Sequence, residues 1–130
     1  MKILFDANVF VAAVLSAGAC NEIIDQAVHE HELYTTAFIL EEIKKVFREK
    51  NFHPVAKPVD DLLEFINQFF TLGHTASDIE NVCRDPNDDQ LLADAVLNHI
   101  DVLITGDKDL LVLKNHKGVH ICSPGDYWSL

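Results

Sequence analysis

Cysteine, glycine, proline and basic side chains are all scarce in these 130 residues, and each scarcity removes a class of protein. Cys20, Cys83 and Cys122 are odd in number and show no CxxC or other paired spacing. Neither a disulfide framework nor a zinc site is expected, and a reducing cytoplasmic location suits them. Five glycines and four prolines do not cluster into a linker, and no repeat or low-complexity tract divides the chain. Ten Lys and Arg against twenty-one Asp and Glu leave a net charge of −11, which argues against broad nonspecific attraction to a polyanion. Long apolar runs are missing too. Val9 to Leu15 superficially imitates the core of a secretory leader, but Asp6 interrupts the stretch and only Lys2 precedes it. The run is far too short to span a bilayer, so no membrane association is expected. What is present is a 48% hydrophobic chain, enough for one domain over residues 1–130 that buries roughly two-thirds of its unfolded surface.

Lys2-Ile3-Leu4-Phe5 reads as a buried strand ending at Asp6, and a helical pattern runs from about Asn21 to His31. Leu33 to Thr35 fits a second short strand. Helical stretches follow over Phe38 to Lys50 and Val59 to Leu72, separated by the breakers between Asn51 and Pro58. The aromatics of the second stretch, Phe65, Phe69 and Phe70, are read as core. Asp85-Pro86 supplies an N-cap and a first helical residue for a helix running to about Asn98. Asp101 to Thr105 and Val119 to Cys122 complete the strands, and Ser123-Pro124-Gly125 turns into a short tail in which Tyr127 and Trp128 pack. Strands alternating with helices predict an α/β fold with right-handed βαβ units and a mainly parallel sheet covered on both faces. Function in such folds gathers at the strand carboxyl ends.

Acids stand there. Asp6 follows the first strand directly and Asp107 lies two residues beyond Thr105, although an aspartate after a strand can also simply close a turn. On the helix from Phe38, a step of about 100° per residue gathers Phe38, Ile39, Leu40, Ile43, Val46 and Phe47 on one arc. Glu42 falls inside that arc, whereas Glu41 projects to the polar side with Lys44 and Arg48. A carboxylate aimed at an interior needs a cation or hydrogen bonds. The helix after Asp85 places Asp88 and Asp89 at the first turn of its apolar face and points Asp94 away. Asp85 and Asp88 could serve only as caps, so Asp89 ranks first among the three and Asp88 and Asp85 follow.

If Asp6, Glu42, Asp89 and Asp107 converge, each pair about 4 Å apart repels by about 4 kcal/mol at an effective dielectric of about 20. Such a cluster requires cations, and an all-oxygen set suits Mg²⁺ or Mn²⁺. A water activated by such an ion could attack a phosphodiester. Lys44, Lys45, Arg48 and Lys50 could guide a phosphate backbone toward the acids, or form no more than a solvated helix face.

With these residues on the page, the chain resembles the PIN-domain nucleases, in particular the small prokaryotic VapC-like toxins, over nearly its whole length. The resemblance rests on Ile3-Leu4-Phe5-Asp6-Ala7-Asn8-Val9-Phe10, Leu40-Glu41-Glu42-Ile43, Arg84-Asp85-Pro86-Asn87-Asp88-Asp89 and Leu103-Ile104-Thr105-Gly106-Asp107-Lys108-Asp109-Leu110-Leu111. It implies a single PIN-like domain with a parallel, about five-stranded sheet, and a Mg²⁺ or Mn²⁺ site that cuts single-stranded RNA. It maps the catalytic and metal-binding acids onto Asp6, Glu42, Asp89 and Asp107, with Asp85 and Asp88 as contenders for the third. It also gives Asn8 and Thr105 supporting roles. A homodimer and a cognate antitoxin are implied as partners, and the acidity fits a basic antitoxin tail that places Arg in the site.

Two other functions compete. A haloacid-dehalogenase-like phosphatase would use Phe5-Asp6-Ala7-Asn8 and Gly106-Asp107-Lys108-Asp109, but Asn8 stands where that chemistry needs an acid, and Glu42 would have no role. A catalytically silent binding module on the same fold would show no metal-dependent cleavage. The seven histidines are scattered and take no part in either reading.

Overall fold

Ile3, Leu4 and Phe5 are all fully buried, although successive strand residues face opposite sides of a sheet, so the first strand is covered on both faces. The same holds for Val102, Leu103 and Ile104. The structure is a computed structural model that describes residues 1–16, 18–49 and 56–130, of 56 and 57 the backbone alone. Its order is β1 (Lys2–Phe5), α1 (Ala7–Leu15), α2 (Ala19–Glu30), β2 (Glu32–Thr35), α3 (Ala37–Glu49), α4 (Ala56–Phe69) and β3 (Thr71–Leu72). There follow α5 (Pro86–Leu97), β4 (Val102–Ile104), α6 (Lys108–Leu111), β5 (Asn115–His116), β6 (Val119–Cys122) and a 3-10 segment at Pro124–Ser129.

The sheet runs β3-β2-β1-β4-β6-β5. Its first five strands are parallel, as expected, and β5 adds a short antiparallel edge. The β5–β6 hairpin turns through Lys117 at φ 47° and Gly118 at φ 87°, the two positive values that a tight two-residue turn needs. The order places β1 between β2 and β4, the point where successive crossovers diverge and a crevice opens at the carboxyl ends.

Several expectations require correction. The helix α1 is additional to the expected elements, because Ala7, Val9, Phe10 and Ala13 are buried and the segment lacks a polar stripe to reveal its period. Phe10 packs edge-on against Phe5 and Phe70, with ring centroids 5.8 and 5.5 Å away. Leu72 belongs to β3, not to the preceding helix, which ends at Phe69 when Phe70 turns into the core. In the tail Tyr127 is buried, its hydroxyl bonded to Gln26, and Trp128, though more exposed, packs edge-on against the Tyr127 ring as expected. The breakers at 51–55 lie outside the described residues.

The largest correction concerns the irregular segment between β3 and α5. Its backbone is bound by side chains of α5 and the residue that closes it. Asn98 accepts from His74 N and donates to His74 O, both at 2.8 Å. Asp94 Oδ1 accepts from Ala76 N at 2.7 Å, and Gln90 donates to Ala76 O at 3.1 Å. Asp94 is therefore wholly buried instead of solvent-facing, and burial pushes its carboxyl above the usual range. Among the described residues, no single helix is long and apolar enough to cross a membrane.

Candidate metal centre

The register of β1 on β4 pairs Phe5 with Ile104, so the next residues, Asp6 and Thr105, emerge side by side at the carboxyl edge. The Asp6 amide continues the ladder to Ile104 O at 2.9 Å. Asp6 then occupies the N-cap position of α1 without its side chain capping the helix. Its carboxylate instead receives the Thr105 hydroxyl, which donates to Oδ2 at 2.7 Å. Burial pushes the Asp6 carboxyl up, opposed by the Thr105 hydroxyl and the Ala7 amide, with the charges of Asp107 and Glu42 adding to the rise.

Thr105 also accepts from the Asp107 amide at 3.0 Å, which fixes the loop from β4 into α6. Asp107 caps α6 by accepting from Asp109 N at 2.9 Å. Asp88, in the first turn of α5, meets Asp107. Carboxylate oxygens of Asp88, Asp107 and Asp109 all lie within 4.8 Å of one another. Asp88 is buried, and its carboxyl is pushed up to about 7 by burial first and then by the charge and hydrogen bond of Asp107. Asp85 and Asp6 add smaller increments of the same sign. The nearby charge of Asp107 thus favours the protonated form of Asp88.

Of the three acids at the start of α5, Asp88 and not the first-ranked Asp89 lies in the carboxylate cluster. Asp89 accepts from Val82 N at 2.9 Å and Cys83 N at 2.7 Å, and these amides hold its carboxyl below the usual range. It anchors the segment before the helix. Asp85 is the N-cap, accepting from Asn87 N at 2.9 Å. Asp88, placed second, is the one that reaches the cluster.

Glu42 is half-buried on α3 and near enough to raise the Asp6 carboxyl, while Glu41 is exposed beside Lys44. Asn8 is exposed and makes no side-chain hydrogen bond among the described residues. Asp109 joins the cluster although sequence reasoning overlooks it; its signal is its place two residues after Asp107, in the first turn of α6. Carboxylate oxygens alone, crowded at short range, fit a hard divalent ion.

A pattern describing the PIN domain matches residues 2–109. No match is found among curated protein sequences. The fold is similar to a chain in the crystal structure of VapBC2 from Rickettsia felis bound to a DNA fragment from their promoter. That likeness has a TM-score of 0.66 at 11% identity and covers 95% of this chain and 98% of the other. With the family pattern spanning β1 and β4, whose ends lead into Asp6 and Thr105, and the helices α3 and α5 that carry Glu42 and Asp88, the chain belongs to the PIN-domain family.

Proposed function

We propose that this protein is a Mg²⁺- or Mn²⁺-dependent endoribonuclease that cuts single-stranded RNA, a VapC-like toxin. The observation that carries the reading is the meeting of Asp88 and Asp107 beside the Thr105-bound Asp6, at the crevice between β1 and β4. Asp6, Asp88, Asp107 and Asp109 would hold the ion, with Glu42 close enough to act on Asp6. When bound, the ion activates a water and offsets charge on the leaving oxygen.

The chain's own residues prepare that chemistry. Thr105 orients Asp6 through its hydroxyl and Asp107 through the backbone. Asp88 would have to lose its proton to hold the ion, so loading would be favoured as pH rises through about 7. In the hydrolysis itself, a water oxygen joins phosphorus as one phosphorus–oxygen ester bond breaks, and the water's proton ends on the departing oxygen.

Membership in the PIN family leaves the haloacid-dehalogenase alternative without support. The reading brings two partners with it: a second copy of the chain, and a basic antitoxin matched to a net charge of −11. The deciding experiment is cleavage of labelled single-stranded RNA in Mn²⁺ or EDTA, beside an Asp6→Asn variant of unchanged folding. Cutting that needs the metal and is lost in the variant supports the nuclease. Folded protein that binds Mn²⁺ but cuts neither RNA nor DNA points to the silent binding module.

A further inference from the structure

Only two arginines occur in the chain, and one of them, Arg84, stands at the acidic cluster. Its Nη2 donates to Asp109 Oδ1 at 2.6 Å. Asp109 in turn lies within 4.8 Å of Asp88 and Asp107 through its carboxylate. A guanidinium thus rests one carboxylate away from Asp88 and Asp107.

The backbone around Arg84 is pinned on both sides. Ahead of it, the Cys83 amide is held by Asp89 at 2.7 Å. Behind it, Asp85 caps α5 and Pro86 begins the helix. The side chain itself is open to solvent: Arg84 is 85% exposed and its Asp109 partner 39%. An ion pair so open to water contributes little to stability. A fixed backbone bearing a loose, fully charged arm suits a group that changes partners. Lys44 and Lys117, by contrast, pair with Glu41 and Glu80, neither of them in the cluster.

We propose that Arg84 is the phosphate-binding arm of this site, resting on Asp109 in the free protein and turning to the non-bridging oxygens of the scissile phosphate when RNA arrives. A guanidinium offers paired N–H groups in the spacing of two phosphate oxygens, which an ammonium cannot match. The proposal rests on the nuclease reading and supplies a local answer to how so acidic a protein receives a polyanion. Asp109 is shared between two positive partners, Arg84 and the cation, so loading of the site releases the arginine for the substrate.

The test compares wild type, Arg84→Ala and Arg84→Lys in steady-state cleavage of a labelled single-stranded RNA. Mn²⁺ affinity, from the electron paramagnetic resonance signal of free ion, and thermal melting are measured on the same proteins. The expected result is a kcat/KM lower by on the order of a hundredfold in Arg84→Ala, the loss typical of one removed charge-stabilising donor. Arg84→Lys recovers part of it. Mn²⁺ binds Arg84→Ala as tightly as wild type or more tightly, because a competing cation is gone, and melting is unchanged. If Arg84→Ala cuts like wild type, the proposal falls and the nuclease reading stands. If Mn²⁺ affinity or melting falls in step with cleavage, Arg84 is structural and the proposal falls again. If wild type binds Mn²⁺ and cuts nothing, the nuclease reading itself fails and takes the proposal with it.

Discussion

The hydroxyl of Thr105 serves two aspartates from opposite ends of the chain, donating to Asp6 Oδ2 at 2.7 Å and accepting from the Asp107 amide at 3.0 Å. Thr105 is completely buried, so its hydroxyl has no water to turn to in place of these bonds. Thr105→Val keeps the shape and removes both. Stability should fall by about 1–3 kcal/mol in denaturant titration. Mn²⁺ affinity should weaken by roughly tenfold or more, as when a ligand loses its outer partner. Without the hydroxyl that lowers it, the Asp6 carboxyl rises further, so Mn²⁺ binding should need a higher pH. Thr105→Ser should restore both properties; a serine variant as defective as valine would contradict this account.

Asp88 makes the metal-free protein sensitive to pH in an unusual direction. Its folded pKa of about 7 lies above the ordinary carboxyl value of 3.8, so between those values the folded state holds a proton that the unfolded chain has lost. The contribution of Asp88 is therefore greatest below pH ~4 and is lost as pH rises through about 7. Asp88→Asn should remove this slope and leave the metal-free protein more stable at pH 8 than wild type. Melting curves with and without Mg²⁺ provide the check. Added ion should raise the wild-type midpoint at pH 8 much more than at pH 5, and should do little for Asp88→Asn.

What the sequence discloses and what it hides follow a physical line. Asp6, Thr105 and Asp107 are legible because each follows a short strand whose last three residues are apolar, and strand ends in a parallel sheet share one edge. Glu42 is legible because the wheel of α3 has strong contrast, with Ile39, Ile43 and Phe47 buried. The helix α1 is hidden because it is apolar all round. The surroundings of Asp89 and Asp94 on α5 share one cause that the wheel does not show. Residues 73 to 83 have no periodicity, yet their amides decide which carboxylates of α5 are taken: Ala76 takes Asp94, and Val82 and Cys83 take Asp89. A helical wheel shows which side a residue faces and not what irregular backbone will cover that side.

Asp88 and Asp89 are neighbours in sequence with opposite assignments, and paired substitutions separate them. Asp88→Ala should abolish most Mn²⁺ binding while leaving the metal-free protein as stable as wild type, because it removes a buried carboxyl crowded by Asp107. Asp89→Ala should do the reverse. It strands the Val82 and Cys83 amides, so the melting midpoint should drop by several degrees while Mn²⁺ still binds. Isothermal titration with Mn²⁺ beside thermal melting would measure both. Loss of Mn²⁺ affinity confined to the Asp89 variant would return the third ligand to the position that the sequence first favoured.

Gly73 tests how firmly the segment before α5 is clasped. A Cβ added there would come 2.7 Å from Asn98 Oδ1 and 2.8 Å from its Cγ. An amide at the free end of a side chain could ordinarily move aside. Asn98 cannot, because it is buried and makes three bonds, to His74 N, His74 O and Asp94 O, each at 2.8 Å. Gly73→Ala should therefore cost about 1–3 kcal/mol, through overpacking and loss of part of that clasp. The double variant with Asn98→Ala decides whether the clash is the cause. Asn98→Ala alone strands the His74 groups, but it also clears the space that the added methyl would need. The two changes together should then destabilise by clearly less than the sum of the single effects. Strict additivity would place the strain of Gly73→Ala in the backbone instead, and would separate this glycine from the hydrogen bonds that seat the segment leading to Asp89 and Arg84.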